Sequence, residues 1–243
     1  MTKPGLKVLV VETPQGCAGI LRRESQYVFN YDTIDPGCQA AIGMPLRHES
    51  YASHLLPGAF TQNFPEGYLL QRIQSSMARY EKLTDMRLLA LLGNRQIGRL
   101  QFHEPGQPAP STESVDFNDL LHGGRSPELF EYLIERFMAS GISGVQPKVM
   151  AASQPHDKAA VIAPDLIIKS AGTGYPFLTQ NEYLCMSAAR RAGISVPEFW
   201  LSDDEGLFIV RRFDLVANKA LGFEDMATVL GQARDTTGDY KYR

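Results

Sequence analysis

Ser140-Gly141-Ile142-Ser143-Gly144-Val145-Gln146-Pro147-Lys148 decides the fold, together with Lys169 at the end of Asp165-Leu166-Ile167-Ile168-Lys169. A Gly/Ser loop turns successive backbone N–H groups toward one anion, and a lysine closing an apolar strand adds a point charge beside it. Gly141, Ser143, Gly144, Gln146 and Lys148 are therefore candidates for gripping a nucleotide's phosphates. The loop also reads as an ordinary turn, because it is neither G-x-x-x-x-G-K-[S/T] nor G-x-G-x-x-G. Lys169 is either a phosphate ligand or a solvated strand end; the apolar run before it belongs in a core, where a lysine needs a partner. Glu182 is the sole acid on the helix predicted over 181–192. It either pairs with Lys169 or simply complements the helix N-terminus.

Working outward, Phe117–Leu121 and Pro127–Met138 carry helical periodicity, the latter with Leu129, Leu133 and Phe137 on one stripe. Short strands are expected at Lys148–Ala152, within Ala160–Lys169, at Glu198–Leu201 and at Leu207–Arg212, the last two joined by the acidic turn Asp203-Asp204-Glu205-Gly206. Gly193 should close the helix between them. The order helix, loop, strand, strand with lysine, helix, strand, strand is that of a protein-kinase-like small lobe. Val210-Arg211-Arg212-Phe213-Asp214 then takes the place of the strand leaving that lobe. Phe213 is a candidate adenine contact or ordinary core, and Arg211 a candidate for phosphate or for an acidic surface.

Upstream, strands are expected at Leu6–Glu12, Gly16–Leu21, Tyr27–Tyr31, Ala40–Leu46 and Ile97–Phe102, with helices at Gly67–Arg79 and Thr84–Leu92. Thr84 or Asp85 would cap the second helix and Gly93-Asn94 would end it. The proline-rich stretch Glu104–Ser114 marks a linker. The expected architecture is α+β: a small mixed β/helical N-terminal subdomain over 1–104, a linker over 105–115, and a kinase-like N-lobe with the start of a large lobe over 116–243.

Bulk properties exclude several classes. With 44% hydrophobic and 21% charged residues and a net charge of -3, the 243-residue chain is a folded protein without general attraction for nucleic acid or anionic membrane. Cys17, Cys38 and Cys185 have no zinc-like or redox-like spacing and read as free thiols, and no run of eighteen apolar residues appears. A cytoplasmic protein without membrane contact is the expectation. The histidines form no H-E-x-x-H, and no G-x-S-x-G nucleophile elbow is present, so no metal site or hydrolase is expected.

Several blocks resemble the HipA-like serine/threonine kinases, the toxins of bacterial toxin–antitoxin modules. They are Tyr27-Val28-Phe29-Asn30-Tyr31, Leu55-Leu56-Pro57, Asn63-Phe64-Pro65-Glu66-Gly67, Ser143-Gly144-Val145-Gln146-Pro147-Lys148, Ile167-Ile168-Lys169, Asn181-Glu182-Tyr183, Arg212-Phe213-Asp214 and Glu224-Asp225-Met226, in family order. The resemblance implies that the 140s loop covers ATP, that Lys169 grips its phosphates and that Arg211–Phe213 form the hinge. It implies transfer of the ATP γ-phosphate to a serine of a protein substrate such as an aminoacyl-tRNA synthetase. It also implies inhibition by a small helix-turn-helix antitoxin, HipB-like, through which DNA is reached. Gly141 stands where the family often has an autophosphorylated serine, so Ser143 is the candidate phosphosite; a phosphate there would add roughly -1.5 to -2 charge. The family's catalytic Asp, its metal-binding Asn and second Asp have no counterpart before Arg243, so Mg²⁺ is expected only in the complete enzyme and this chain alone is expected to be inactive. The alternatives are a non-catalytic partner-binding fragment (decoy or split-toxin subunit) and a nucleotide-binding protein of unrelated type.

Overall fold

The computed structural model describes residues 5–65, 67–77, 83–93, 95–107, 116–141, 159–162, 165–170, 177–217 and 219–231. Contacts divide the chain into two compact units: residues of 1–65, 74–111 and 214–243 form one, those of 66–73 and 112–213 the other. The division departs from the sequence boundaries, because described residues after Phe213 group with the first unit.

The first unit is built on an antiparallel sheet of order β4-β3-β2-β1-β5, comprising β1 (Val8–Thr13), β2 (Gly16–Arg23), β3 (Tyr27–Tyr31), β4 (Tyr51–Ser53) and β5 (Gln101–His103). Alternation in β1 buries Leu9, Val11 and Thr13 on one face. Gly19 is dictated by sheet packing: a Cβ there would lie 2.0 Å from the Asn30 carbonyl oxygen. Phe29, Phe60 and Phe102 stack edge-to-face at 5.4 Å centroid spacings and anchor the core. Phe60 comes from α1 (Gly58–Thr61); the helix after it, α2 (Gly67–Met77), belongs to the second unit up to Ile73 and to the first from Gln74. In α3 (Asp85–Leu92), Met86 and the run Leu88–Leu92 are all buried. Thr84 caps it by accepting from the Arg87 amide at 3.3 Å, and Gly93 ends it at φ 54°. Burial, then the hydrogen bond to the Asp85 carboxylate, pushes the Tyr27 phenol up to about 12.

Ala40–Leu46 is not the expected strand. It forms a turn with a single Ala41–Met44 bridge. A side chain takes two of the backbone groups a ladder would have used: the Tyr31 hydroxyl accepts from the Ala40 amide at 3.0 Å and donates to the Met44 carbonyl. Just before them, Arg99 donates to the carbonyls of Gly37 and Gln39.

β10 (Leu215–Val216), β11 (Lys219–Ala220) and α7 (Met226–Val229) complete this unit. Polar contacts explain why the segment belongs here. Asp214 accepts from the Gly98 amide at 2.7 Å, and Glu224 accepts from the Ile42 amide at 2.6 Å. The Gln62 amide donates to the Phe223 carbonyl at 2.7 Å and accepts from the Asp225 amide at 3.1 Å. A cavity of about 290 Å³ lies between the 39–42 turn, Gln62, Arg99 and Phe223.

The second unit carries α4 (Phe117–His122), α5 (Ser126–Gly141) and α6 (Leu178–Arg191) with a sheet of order β6-β7-β9-β8. Its strands are β6 (Ala159–Ile162), β7 (Leu166–Ser170), β8 (Phe199–Leu201) and β9 (Leu207–Arg211). All neighbours are antiparallel. Ser140 and Gly141, expected in the loop, continue α5 to its last residue. α6 ends where Gly193 takes φ 80° and the Ile194 amide reaches back to the Ala189 carbonyl at 3.0 Å, a Schellman closure. Among the described residues, no helix is long and apolar enough to cross a membrane.

Candidate functional site

Register sets which side chains meet. Residues directly opposite across antiparallel strands share a face. Lys169 pairs with Phe208 and Phe208 with Leu201, while Ile167 pairs with Val210 and Val210 with Phe199, so these six side chains line one face of the sheet. Ile168, Ile209 and Trp200 define the other, where Phe117 of α4 meets Trp200 edge-to-face at 4.8 Å.

α6 lies on the Lys169 face. The Lys169 Nζ is 2.6 Å from Glu182 Oε2 and 5.9 Å from the Phe208 ring centroid. Tyr183 packs edge-to-face on Phe199 at 5.4 Å, and the Arg190 guanidinium covers the same ring at 4.1 Å. Both members of the ion pair are largely withdrawn from water, with side-chain exposures of 29% and 20%. Removing one would leave the other's charge poorly compensated, which is costly. Three ammonium hydrogens leave Lys169 able to hold Glu182 and a further anion together.

The structure brings Lys169 and Glu182 together and leaves Arg211 out. Three residues beyond Phe208, Arg211 falls on the opposite face by strand alternation. There it donates through Nε to Glu198 at 2.6 Å and through Nη1 to Asp165 at 3.3 Å. Phe213 follows β9 and is half exposed. Gly141 is the last residue of α5. Ser143, Gly144, Gln146 and Lys148, including the candidate phosphosite Ser143, lie outside the described residues. So does the strand expected at Lys148–Ala152.

Two features were missed in the sequence. Phe208, beside the lysine, was hidden because its face depends on the β7–β9 register; the alternation of Phe208 and Val210 was the available signal. The second is the hydrogen bonding of Asp204 within the acidic turn, a turn that the sequence did place after β8. The Asp204 carboxylate accepts from the Ser126 hydroxyl at 2.5 Å, the Ser126 amide at 3.0 Å, the Ser202 hydroxyl at 2.7 Å and the Gly206 amide at 3.1 Å. Burial resists ionisation of Asp204, but these hydrogen bonds outweigh it and hold the carboxyl down at about 2. Among the described residues no group of three or more His, Cys, Asp or Glu side chains is placed to hold a metal.

Two family models match, and their boundary differs from that of the compact units, because the second includes the residues after Phe213 that group with the first unit. The HipA N-terminal domain model matches residues 9–103 and the HipA-like C-terminal domain model matches residues 140–243. The chain belongs to the HipA-like family. The HipA-like chain is similar in fold to a solved structure described as a Shewanella oneidensis MR-1 toxin–antitoxin system HipA, HipB and operator DNA complex, at TM-score 0.61 and 16% identity. That match covers 93% of this chain and 56% of the other, so the chain spans little more than half the length of its solved relative. A structure described as the N-terminal domain of HipA toxin aligns over 44% of this chain and 100% of its own, at 19% identity and TM-score 0.30, too low to carry a likeness of fold. No curated protein sequence matches.

Proposed function

We propose that this chain is the ATP-gripping part of a HipA-like serine/threonine kinase. The observation that carries the reading is the 2.6 Å Lys169–Glu182 pair on the sheet face shared with Ile167, Phe208 and Val210. A strand lysine held by a carboxylate on the next helix is the arrangement by which kinases orient an ammonium group toward the α- and β-phosphates. In this role Lys169 holds phosphate charge, Glu182 fixes the lysine's direction, and the apolar residues beside them exclude water. Gly141, Ser143, Gly144, Gln146 and Lys148 are proposed to cover the phosphates, and Phe213 to lie by the adenine. ATP supplies the phosphoryl group when bound. The resemblance assigns no catalytic base or Mg²⁺ ligand within residues 1–243, so transfer to a protein serine is proposed for the complete enzyme.

Calorimetric titration with ATP tests the reading. Lys169→Ala should weaken binding at least about tenfold, which corresponds to about 1.4 kcal/mol, and Glu182→Gln should weaken it less. Equal affinity of the wild type and Lys169→Ala would reject the phosphate role.

A second reading is favoured by the partners named for the solved neighbour, HipB and operator DNA. On that reading the chain engages a HipB-like antitoxin and reaches DNA through it, without using nucleotide. Co-purification with a small helix-turn-helix protein, with no heat of ATP binding, would favour it over the first.

A further inference from the structure

We propose that the acidic turn between β8 and β9 is the positioning element for the Lys169–Glu182 pair, and that it acts through Thr179. The geometric claim stands on the pair itself; its consequence for phosphate binding rests on the nucleotide reading above.

α6 buries little of itself. Of its fourteen residues only Thr179 is buried. The helix has no side-chain cap, and its N-cap residue Phe177 sits in the left-handed region at φ 63°. Besides the Glu182 pair and the packing of Tyr183 and Arg190 on Phe199, its orientation is set by the polar contacts of its first turn. Thr179 Oγ1 lies 2.7 Å from the Glu205 carbonyl oxygen and 2.8 Å from Gln180 Oε1, so its one proton is shared between them. Gln180 Nε2 donates to the Glu205 carboxylate at 3.1 Å, so both acceptors tie the helix start to the turn. Glu182 stands three residues after Thr179, one turn along on the same side of the helix. The rotation that seats the Thr179 hydroxyl on the turn is therefore the rotation that aims Glu182 at Lys169.

The turn is rigid enough to act as an anchor. Asp204 gathers four donors from Ser126, Ser202 and Gly206. Ser202 also closes the turn on Leu207, accepting its amide at the hydroxyl at 2.9 Å. The Asp203 amide donates to the Leu121 carbonyl of α4 at 2.8 Å, and its carboxylate meets His122 at 2.9 Å. One five-residue turn thus ties together α4, the start of α5 and the start of α6. Glu205, whose carbonyl faces the Thr179 hydroxyl, adopts φ 59°, a conformation that residues other than glycine rarely adopt.

The test is reductive methylation of the purified chain, with the rate at Lys169 read by mass spectrometry against exposed Lys7 and Lys219 as internal references. Thr179→Val keeps the shape and removes the hydroxyl. It should raise relative labelling of Lys169 at least about threefold, while Thr179→Ser should return it to within about 1.5-fold of wild type. A Thr179→Val chain with the wild-type ratio would overturn the proposal, and so would a serine variant that labels like the valine one. If Thr179→Val does not fold, Asp204→Asn decides: a raised Lys169 ratio supports the proposal and an unchanged one rejects it. ATP titration of the same proteins separates the two claims. A wild type that binds no ATP defeats the nucleotide reading and leaves the labelling result to judge the turn.

Discussion

α3 and α6 solve the same problem in opposite ways. Six of the eight residues of α3 are buried, and its two ends carry a threonine cap and a left-handed glycine. α6, with fourteen residues, buries Thr179 alone and starts from an uncapped phenylalanine. One helix is held by apolar area, the other by an ion pair, a hydroxyl tether and rings packed on Phe199. Apolar packing is non-directional and tolerates small shifts, whereas polar contacts of this kind fix an orientation. A helix that must aim one carboxylate benefits from the second arrangement.

The contrast is broken most forcefully by core truncation. Leu88→Ala in α3 should cost about 2–5 kcal/mol in denaturant unfolding. Leu184→Ala on α6, at an exposed position, should cost less than about 0.5 kcal/mol. Comparable losses would mean α6 is anchored by apolar contact after all.

Next in size is Gly206→Ala. Its Cβ would fall 2.4 Å from Ser126 Cβ, forcing the turn off the start of α5, and about 1–3 kcal/mol should be lost. Asp204→Asn should cost about 1–2 kcal/mol through weakened hydrogen bonds. The acid dependence sharpens that case. With the folded pKa at about 2 against an ordinary 3.8, the ionised carboxylate contributes stability that is present above about pH 4 and lost as pH falls toward 2. The wild type should therefore lose more stability than the asparagine variant across that window, in melts followed by circular dichroism.

The smallest effects concern the helix starts. Thr84→Ala should destabilise by about 1 kcal/mol through loss of the cap. Phe177→Asn should instead stabilise by about 0.5–1 kcal/mol, because asparagine tolerates the left-handed conformation better than a bulky ring. A loss at Phe177 would show that its exposed ring has a role that α6 geometry alone does not reveal.

What could be read in the sequence follows the same divide. Apolar periodicity located β1, β2, β3, α3 and α5 to within a few residues, because alternating or helical burial leaves a direct trace. Lys169 and Glu182 were legible as chemistry, since an apolar strand ending in lysine and a lone acid on the next helix stand out. β4 was missed because three residues of edge strand carry too little pattern. The strand expected at Ala40–Leu46 failed because the Tyr31 hydroxyl, not a neighbouring strand, meets the Ala40 amide and the Met44 carbonyl. Arg211 was left between phosphate and an acidic surface because nothing local tells which face a strand residue takes; pairing with β7 puts it on the face away from Lys169, where it meets Glu198 and Asp165. The knot at Asp204 was invisible for a related reason, its principal donor Ser126 lying 78 positions away.

The central claim is that Lys169 meets phosphate, and an acyl-phosphate derivative of ATP tests it by transferring its acyl group to a lysine beside the bound phosphates. The account predicts acylation at Lys169, suppressed by excess ATP and reduced in Glu182→Gln, where the lysine loses its charged partner. Labelling spread over exposed lysines, or a Lys169 adduct that excess ATP does not suppress, would contradict it.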